Sequence, residues 1–402
     1  MKVLMFGWEF PPFTSGGLGT ACHGLTKGLC HHGVDVTFVV PRGKGDPNSS
    51  HVNMIFANEL SKKGSFAIKE IDSPLLPYMD SKSYARIWYN NPEVEEEYDV
   101  YGKNLYEEVQ RFAQQADKID CDDYDIIHAH DWMTYPAAIR AKERTGKPLV
   151  LHIHATEFDR TTGSPNQKIY DIERQGFEAA DVILAVSELT RQKVIQQYCI
   201  PKEKVQVVHN AIEISADSVS QKVGCSKDKM ILFLGRITIQ KGPEHFVWAA
   251  KKVAEVEHNV RFVVAGSGDM ESRMVDVAAD LGIADKFVFT GFLRGPDVDR
   301  AFKMADLYVM PSISEPFGLT PLEAMRNGTP ALISKQSGCS EVLKHCLKVD
   351  FWDIDQMANK MVSVLRYNEL YSTLSEEGTK EVQRFNWVIP AEKCVKIYSS
   401  YI

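Results

Sequence analysis

Four ionisable residues in the second half of the sequence have types and spacing suited to handling charge. Arg236 and Lys241 flank one loop, Gly235-Arg236-Ile237-Thr238-Ile239-Gln240-Lys241-Gly242-Pro243. An arginine fork and a lysine point charge suit a diphosphate, and Pro243 fits the first turn of a helix. Two solvated surface cations are the plain alternative, but the loop directly follows an apolar run. Glu315 and Glu323 lie in Ser314-Glu315-Pro316-Phe317-Gly318-Leu319-Thr320-Pro321-Leu322-Glu323. With Pro321 near a helix start, Glu323 falls in the first turn. A carboxylate there can accept two ribose hydroxyls, and it also favours the helix dipole. Glu315, in the loop before, is placed to contact a transferring sugar. Paired carboxylates also fit a glycosidase, but a glycosidase has no use for a phosphate clamp. Clamp and hydroxyl acceptors together point to a sugar nucleotide.

The first half adds a glycine-rich loop and two histidine loops. Thr14-Ser15-Gly16-Gly17-Leu18-Gly19 follows the first apolar run and opens a helix. Gly16 and Gly17 allow close backbone approach, and a helix start favours anions. The loop lacks the G-x-G-x-x-G spacing of a nicotinamide dehydrogenase and a Walker lysine, and a tight packing turn reads equally well. His128-Ala129-His130-Asp131-Trp132 ends a second apolar run. His130 is placed to donate to a sugar hydroxyl or to face developing charge. His128 reads as structural, Asp131 as a helix cap and Trp132 as core. His154 occupies the matching place after the next run. No helical i,i+4 histidine pair or cysteine set accompanies these histidines, so no metal is expected.

Elements must bring these loops together. Short apolar runs alternate with amphipathic stretches: strands at 3–6, 34–40, 125–129, 149–153, 182–185 and 205–208, with helices at 20–32, 101–116, 135–144, 169–179 and 190–198. Residues 43–100 read as a meander. After a polar linker at 214–229 the alternation resumes, with strands at 230–234, 261–265, 287–290, 307–310 and 331–333 and helices between them. The expected fold class is α/β, two Rossmann-like doubly wound domains with an interdomain cleft, and ligands at the carboxyl ends of the strands. The first domain is assigned to residues 1–213 and the second to 230–385.

The 402 residues exceed a single core. A net charge of −8 leaves no basic field for nucleic acid. No apolar run reaches the ~18 residues of a membrane span. Eight cysteines without C-x-x-C pairs suggest the reducing cytoplasm.

The G-R-x-x-x-x-K-G loop and the E-P-F-G-L-x-x-x-E-A-M segment resemble the retaining GT-B glycosyltransferases of family 4 and the glycogen and starch synthases. S-G-G-L-G, H-A-H-D-W, V-H-N-A-I, Gly266-Ser267-Gly268 and Arg384-Phe385-Asn386-Trp387 follow in the same order. The opening W-E-F-P-P and H-I-H-A-T-E-F-D-R are similar to compact prokaryotic glycogen-synthase-like proteins. The resemblance implies a hexosyltransferase moving glucose from UDP- or ADP-glucose to a glucan, with no further cofactor. It implies that Arg236 and Lys241 hold the diphosphate, Glu323 the ribose and Glu315 the donor sugar, with His130 near the reacting carbon. Gly16, Gly17, His154, Gly318, Leu319, Thr320, Gly338 and Cys339 are then donor-site contacts. Residues 386–402 would form a helix crossing back to the first domain. The first loop has no lysine where bacterial ADP-glucose synthases carry K-T-G-G-L, which counts against ADP-glucose. A family 4 transferase for surface polysaccharide or glycolipid, and a sugar-nucleotide epimerase, are the alternatives.

Overall fold

The computed structural model describes residues 1–11, 16–41, 51–56, 105–214 and 228–402. Two fully parallel sheets organise them. The first contains β1 (Lys2–Phe6), β2 (Asp35–Val40), β3 (Asn53–Phe56), β4 (Ile126–His130), β5 (Leu149–Ile153), β6 (Val182–Ala185) and β7 (Val205–Val207). Their order is β3-β2-β1-β4-β5-β6-β7. The second contains β8 (Lys229–Leu234), β9 (Val260–Ala265), β10 (Phe287–Gly291), β11 (Leu307–Met310), β12 (Ala331–Ser334) and β13 (Leu347–Val349), in the order β10-β9-β8-β11-β12-β13. Central strands such as β1 and β4 bury nearly every side chain, as parallel strands covered on both faces must. In each sheet the order reverses once, between β1 and β4 and between β8 and β11. A crevice opens at such a switch point, and the residues singled out above cluster at these two.

Helices fill the connections: α1 (Gly17–His31), α2 (Leu105–Ala116), α3 (Tyr135–Thr145), α4 (Glu157–Arg160), α5 (Gln167–Ala179), α6 (Glu188–Tyr198), α7 (Pro243–Val256), α8 (Glu271–Asp280), α9 (Pro296–Met304), α10 (Thr320–Arg326), α11 (Ile354–Arg366), α12 (Asn368–Val382) and α13 (Val388–Ser399). The last helix packs on the first domain: Trp387, Ala391, Cys394, Ile397 and Tyr398 join the core that holds β1, β2 and α1. Two glycines of α1 make room for it. A Cβ on Gly24 would lie 2.0 Å from Trp387 Nε1, and one on Gly28 2.4 Å from the Trp387 carbonyl oxygen.

Several elements differ from the sequence reading. Helix α1 starts at Gly17 rather than Thr20, its glycine-rich first turn held by a distant carboxylate described below. Strand β3 lies within the stretch read as a meander. The rest of 43–100, and residues 215–227 of the linker, lie outside the described residues. Strand β13 and helices α11 and α12 were not anticipated: β13 is only three residues long. The apolar stripe of α11 (Met357, Met361, Val364, Leu365) was present in the sequence but followed no strand that had been recognised.

Candidate functional site

The loops after β8 and β11 bring Lys241 and Glu315 into contact. The Lys241 ammonium pairs with Glu315 Oε2, which also accepts a hydrogen bond from Ser312 Oγ at 3.2 Å. The Glu315 backbone is fixed as firmly. Its N–H donates to Gln336 O at 3.0 Å and its carbonyl accepts from Gly338 N at 2.9 Å. Gly318 turns the chain into α10 with φ of +95°, a conformation that favours glycine. Leu319 then precedes the helix, and Thr320 Oγ1 hydrogen-bonds the Tyr308 hydroxyl at 2.7 Å. Glu323 sits in the first turn of α10, partly buried. Burial pushes its carboxyl up, Arg326 pulls it down and Asp299 adds to the rise.

Glycines let the loops of the second domain stack. A Cβ on Gly266 would lie 1.9 Å from Gly235 O, and one on Gly268 2.2 Å from Ile237 O. Their role is close packing against the backbone on either side of Arg236. Gly338 is similar: a Cβ there would lie 2.1 Å from Pro316 O and 2.5 Å from Ser187 Cβ. The N–H groups of Gly338, Cys339 and Ser340 donate to Glu315 O, Phe317 O and Ser337 O. Cys339 is fully buried, with Sγ 3.5 Å from Ser337 Oγ. Gly338 and Cys339 therefore use their N–H groups to hold the Glu315 loop.

Across the cleft, the ends of β4 and β5 stack four buried histidines. His128 and His130 rings lie 4.5 Å apart at 23°, His128 and His152 5.5 Å apart at 8°, and His152 and His154 4.6 Å apart at 19°. His130 Nδ1 meets His154 Nε2 at 3.0 Å, and His128 Nδ1 meets the Tyr398 hydroxyl at 2.6 Å. His130 Nε2, His128 Nε2 and both His152 nitrogens are buried without a hydrogen-bond partner among the described residues. Burial and the neighbouring rings hold His128, His130 and His152 well below the usual histidine value. They are neutral at pH 7, and His130 itself is fully buried in the stack.

Ring nitrogens of His128, His130 and His152 come within 4.8 Å of one another, as do ligand atoms of Cys22, His130 and His154. The first set does not fit a chelate. An ion ~2.0–2.1 Å from an imidazole nitrogen lies near that ring's plane, and nearly parallel stacked rings share no such point. In the second set, burial together with Asp131 and Glu9 pushes the Cys22 thiol well up, which disfavours the thiolate form that a metal takes as ligand.

Glu9 was missed from the sequence. It follows β1, is 3% exposed, and its Oε2 accepts from Gly19 N at 3.0 Å. Gly16, at the N-cap, has no side chain to cap α1, and Glu9 supplies the carboxylate instead. A Cβ on Gly16 would lie 2.8 Å from Glu9 Oε2, whereas one on Gly17 would meet open space. Of the glycine loop, Gly17 thus offers an open approach, while residues 12–15 lie outside the described residues. Burial pushes the Glu9 carboxyl up to about 7, against the pull of the Gly19 amide and of Arg236, with Asp131 adding to the rise. The Glu9 carboxyl therefore feels the charge of Arg236 from the other domain. The only sequence signal for Glu9 was an acidic residue inside an otherwise apolar Trp-Glu-Phe-Pro-Pro run.

The description Glycosyltransferase Family 4 matches residues 15–216, and Glycosyl transferases group 1 matches residues 216–381. The chain belongs to glycosyltransferase family 4. Its relatives include an uncharacterised glycosyltransferase, MJ1607, of Methanocaldococcus jannaschii, 30% identical over 99% of this chain and 98% of the relative. The glycogen synthase of Mycobacterium tuberculosis is 24% identical over 85% of this chain and 80% of the relative. Among solved structures, Anabaena HepE in complex with UDP-glucose superposes with a TM-score of 0.70 at 18% identity, covering all of both chains. The glycosyltransferase thus has the two Rossmann-like domains of the GT-B fold.

Proposed function

We propose that this glycosyltransferase moves glucose from a nucleotide-glucose donor to a glucan, with retention at the anomeric carbon, in the manner of a glycogen synthase. The observation that supports the reading is the Lys241–Glu315 pair at the switch point of the second sheet, with Arg236 in the loop after β8 and Glu323 in the first turn of α10 after β11. In this reading Arg236 and Lys241 stabilise the departing diphosphate. Glu323 accepts the ribose hydroxyls, and Glu315, oriented by Lys241 and Ser312, accepts from hydroxyls of the donor sugar. Leu319, Thr320 and Gly318 shape the same wall. Neutral His130, steadied by His154, faces the reacting carbon.

The bond from the sugar carbon to the diphosphate oxygen breaks, and the acceptor hydroxyl forms the new bond on the same face. Its proton passes to the leaving phosphate oxygen, so no protein base is assigned. The two cations perform the charge stabilisation that a metal performs elsewhere, and no further cofactor is invoked. The glycogen synthase relative supports the glucan acceptor. The seven described cysteines are all free thiols, which supports a cytoplasmic setting.

The test is nucleoside diphosphate release from UDP-, ADP- and GDP-sugars, with and without glycogen, in EDTA. Glycogen-dependent release from a glucose donor is expected. Turnover only with lipid or surface-sugar acceptors would move the assignment to glycolipid or polysaccharide synthesis. Conversion of the donor sugar without any acceptor would make the enzyme an epimerase.

A further inference from the structure

The segment that carries Glu315 is gripped on both sides by the first domain. Asp159, in α4, is fully buried and uses its two oxygens differently. Oδ2 accepts from Thr156 N at 2.9 Å and Thr156 Oγ1 at 2.7 Å, closing a capping box within its own domain. Oδ1 pairs with the Lys193 ammonium of α6 and accepts from Ser314 Oγ of the second domain at 2.6 Å. Lys193 Nζ donates to the same Ser314 Oγ at 2.5 Å. The hydroxyl next to Glu315 thus both donates to an anion and accepts from a cation supplied by the other domain. On the other side of Glu315, Pro316 O accepts from Ser187 Oγ at 2.5 Å. Farther along, Glu341 caps the start of α6, accepting from Glu188 N at 2.9 Å and Leu189 N at 2.7 Å.

We infer that Asp159 and Lys193 are positioning residues for Glu315, acting through Ser314 as a latch that sets the sugar-contacting carboxylate only when the domains close. Both charged groups belong to the first domain, so their pair is complete before closure. Only Ser314 has to arrive. Burial alone would raise the Asp159 carboxyl, yet Lys193, Ser314 and Thr156 hold it below the usual carboxylate value. The anion is therefore present at neutral pH to receive the Ser314 hydroxyl. The inference rests on the role given to Glu315 above, and it concerns geometry that any donor sugar would share.

Ser314→Ala removes the two interdomain hydrogen bonds that Ser314 makes and leaves the Asp159–Lys193 pair intact. Asp159→Asn keeps the shape and removes the charge. Three readouts separate the possibilities: steady-state kinetics with the donor that the panel above identifies, the radius of gyration in solution, and hydrogen exchange of the 312–318 backbone. Both variants are expected to keep the donor KM within about threefold and to lose on the order of 10²-fold in kcat, as a misplaced group does. The radius of gyration should grow and amide exchange at 312–318 should quicken. Ser363→Ala, which removes a hydroxyl that donates to Asn359 O within α11, is the control for losing a serine from the second domain. Wild-type kcat and exchange in Ser314→Ala would overturn the latch. A fall in kcat with unchanged size and exchange would overturn it as well. If the wild type turns over no donor, the proposed function fails, while size and exchange still decide the latch. Ser314→Ala remains decisive should Asp159→Asn fail to fold.

Discussion

Replacing His152 by leucine removes an imidazole that is 1% exposed and has both nitrogens buried without a described hydrogen-bond partner. Burial and the His154 and His130 rings hold its pKa well below the usual value. The folded protein keeps it neutral, whereas the unfolded chain protonates it near pH 6.5. A base with a depressed folded pKa therefore costs stability as the pH falls through 6.5. From pH 7.5 to 5.5 each such histidine costs about 1.4 kcal/mol. Summed over His128, His130 and His152, the loss is about 4 kcal/mol. Glu9 works the other way. Its folded pKa, raised to about 7, makes the folded state take up a proton first, which returns about 2 kcal/mol over the same interval. His152→Leu should lose about 1.4 kcal/mol less than the wild type between the two pH values. Urea unfolding of the first domain, followed by the fluorescence of Trp8 and Trp132, measures this. Equal pH sensitivity in variant and wild type would show that His152 titrates in the folded protein, and would refute the reasoning.

Other consequences follow from the same geometry. Lys241→Ala should lower kcat on the order of 10²–10³-fold, as loss of one preorganised donor does; full transfer in EDTA would sink the clamp assignment. Glu9→Gln tests a charge facing Arg236. In the wild type the donor KM should rise as the pH passes through about 7, because ionised Glu9 then competes with the diphosphate for Arg236, and the glutamine variant should show a flat profile through that range. Gly28→Val would press its side chain on the Trp387 carbonyl, where even a Cβ comes to 2.4 Å. It should lower the thermal midpoint, by overpacking worth about 1–3 kcal/mol, and quicken amide exchange along α13.

The alternation of apolar runs and amphipathic stretches was enough to place both parallel sheets, because strand and helix periodicities are local properties of the chain. The Arg236/Lys241 loop and the Glu315/Glu323 segment were legible for the same reason. Each lies directly after a recognisable strand, and Pro243 and Pro321 mark the helix starts that follow. Strand β13 and helices α11 and α12 escaped because a three-residue strand leaves almost no periodic trace.

Residue types and short-range spacing, which the sequence carries by itself, determined the two α/β units, their carboxyl-end loops and the charge chemistry in them. Partnership was decided only by tertiary structure. Lys241 meets Glu315, 74 positions away, because β8 and β11 are neighbours across the reversal of strand order. The histidines stack because the β4–β5 register sets His130 beside His152. Ser314 reaches Asp159, 155 positions earlier, because the domains dock there. No local pattern encodes such contacts: a buried carboxylate such as Glu9 or Asp159 looks in the sequence like any surface acid until packing removes the water around it.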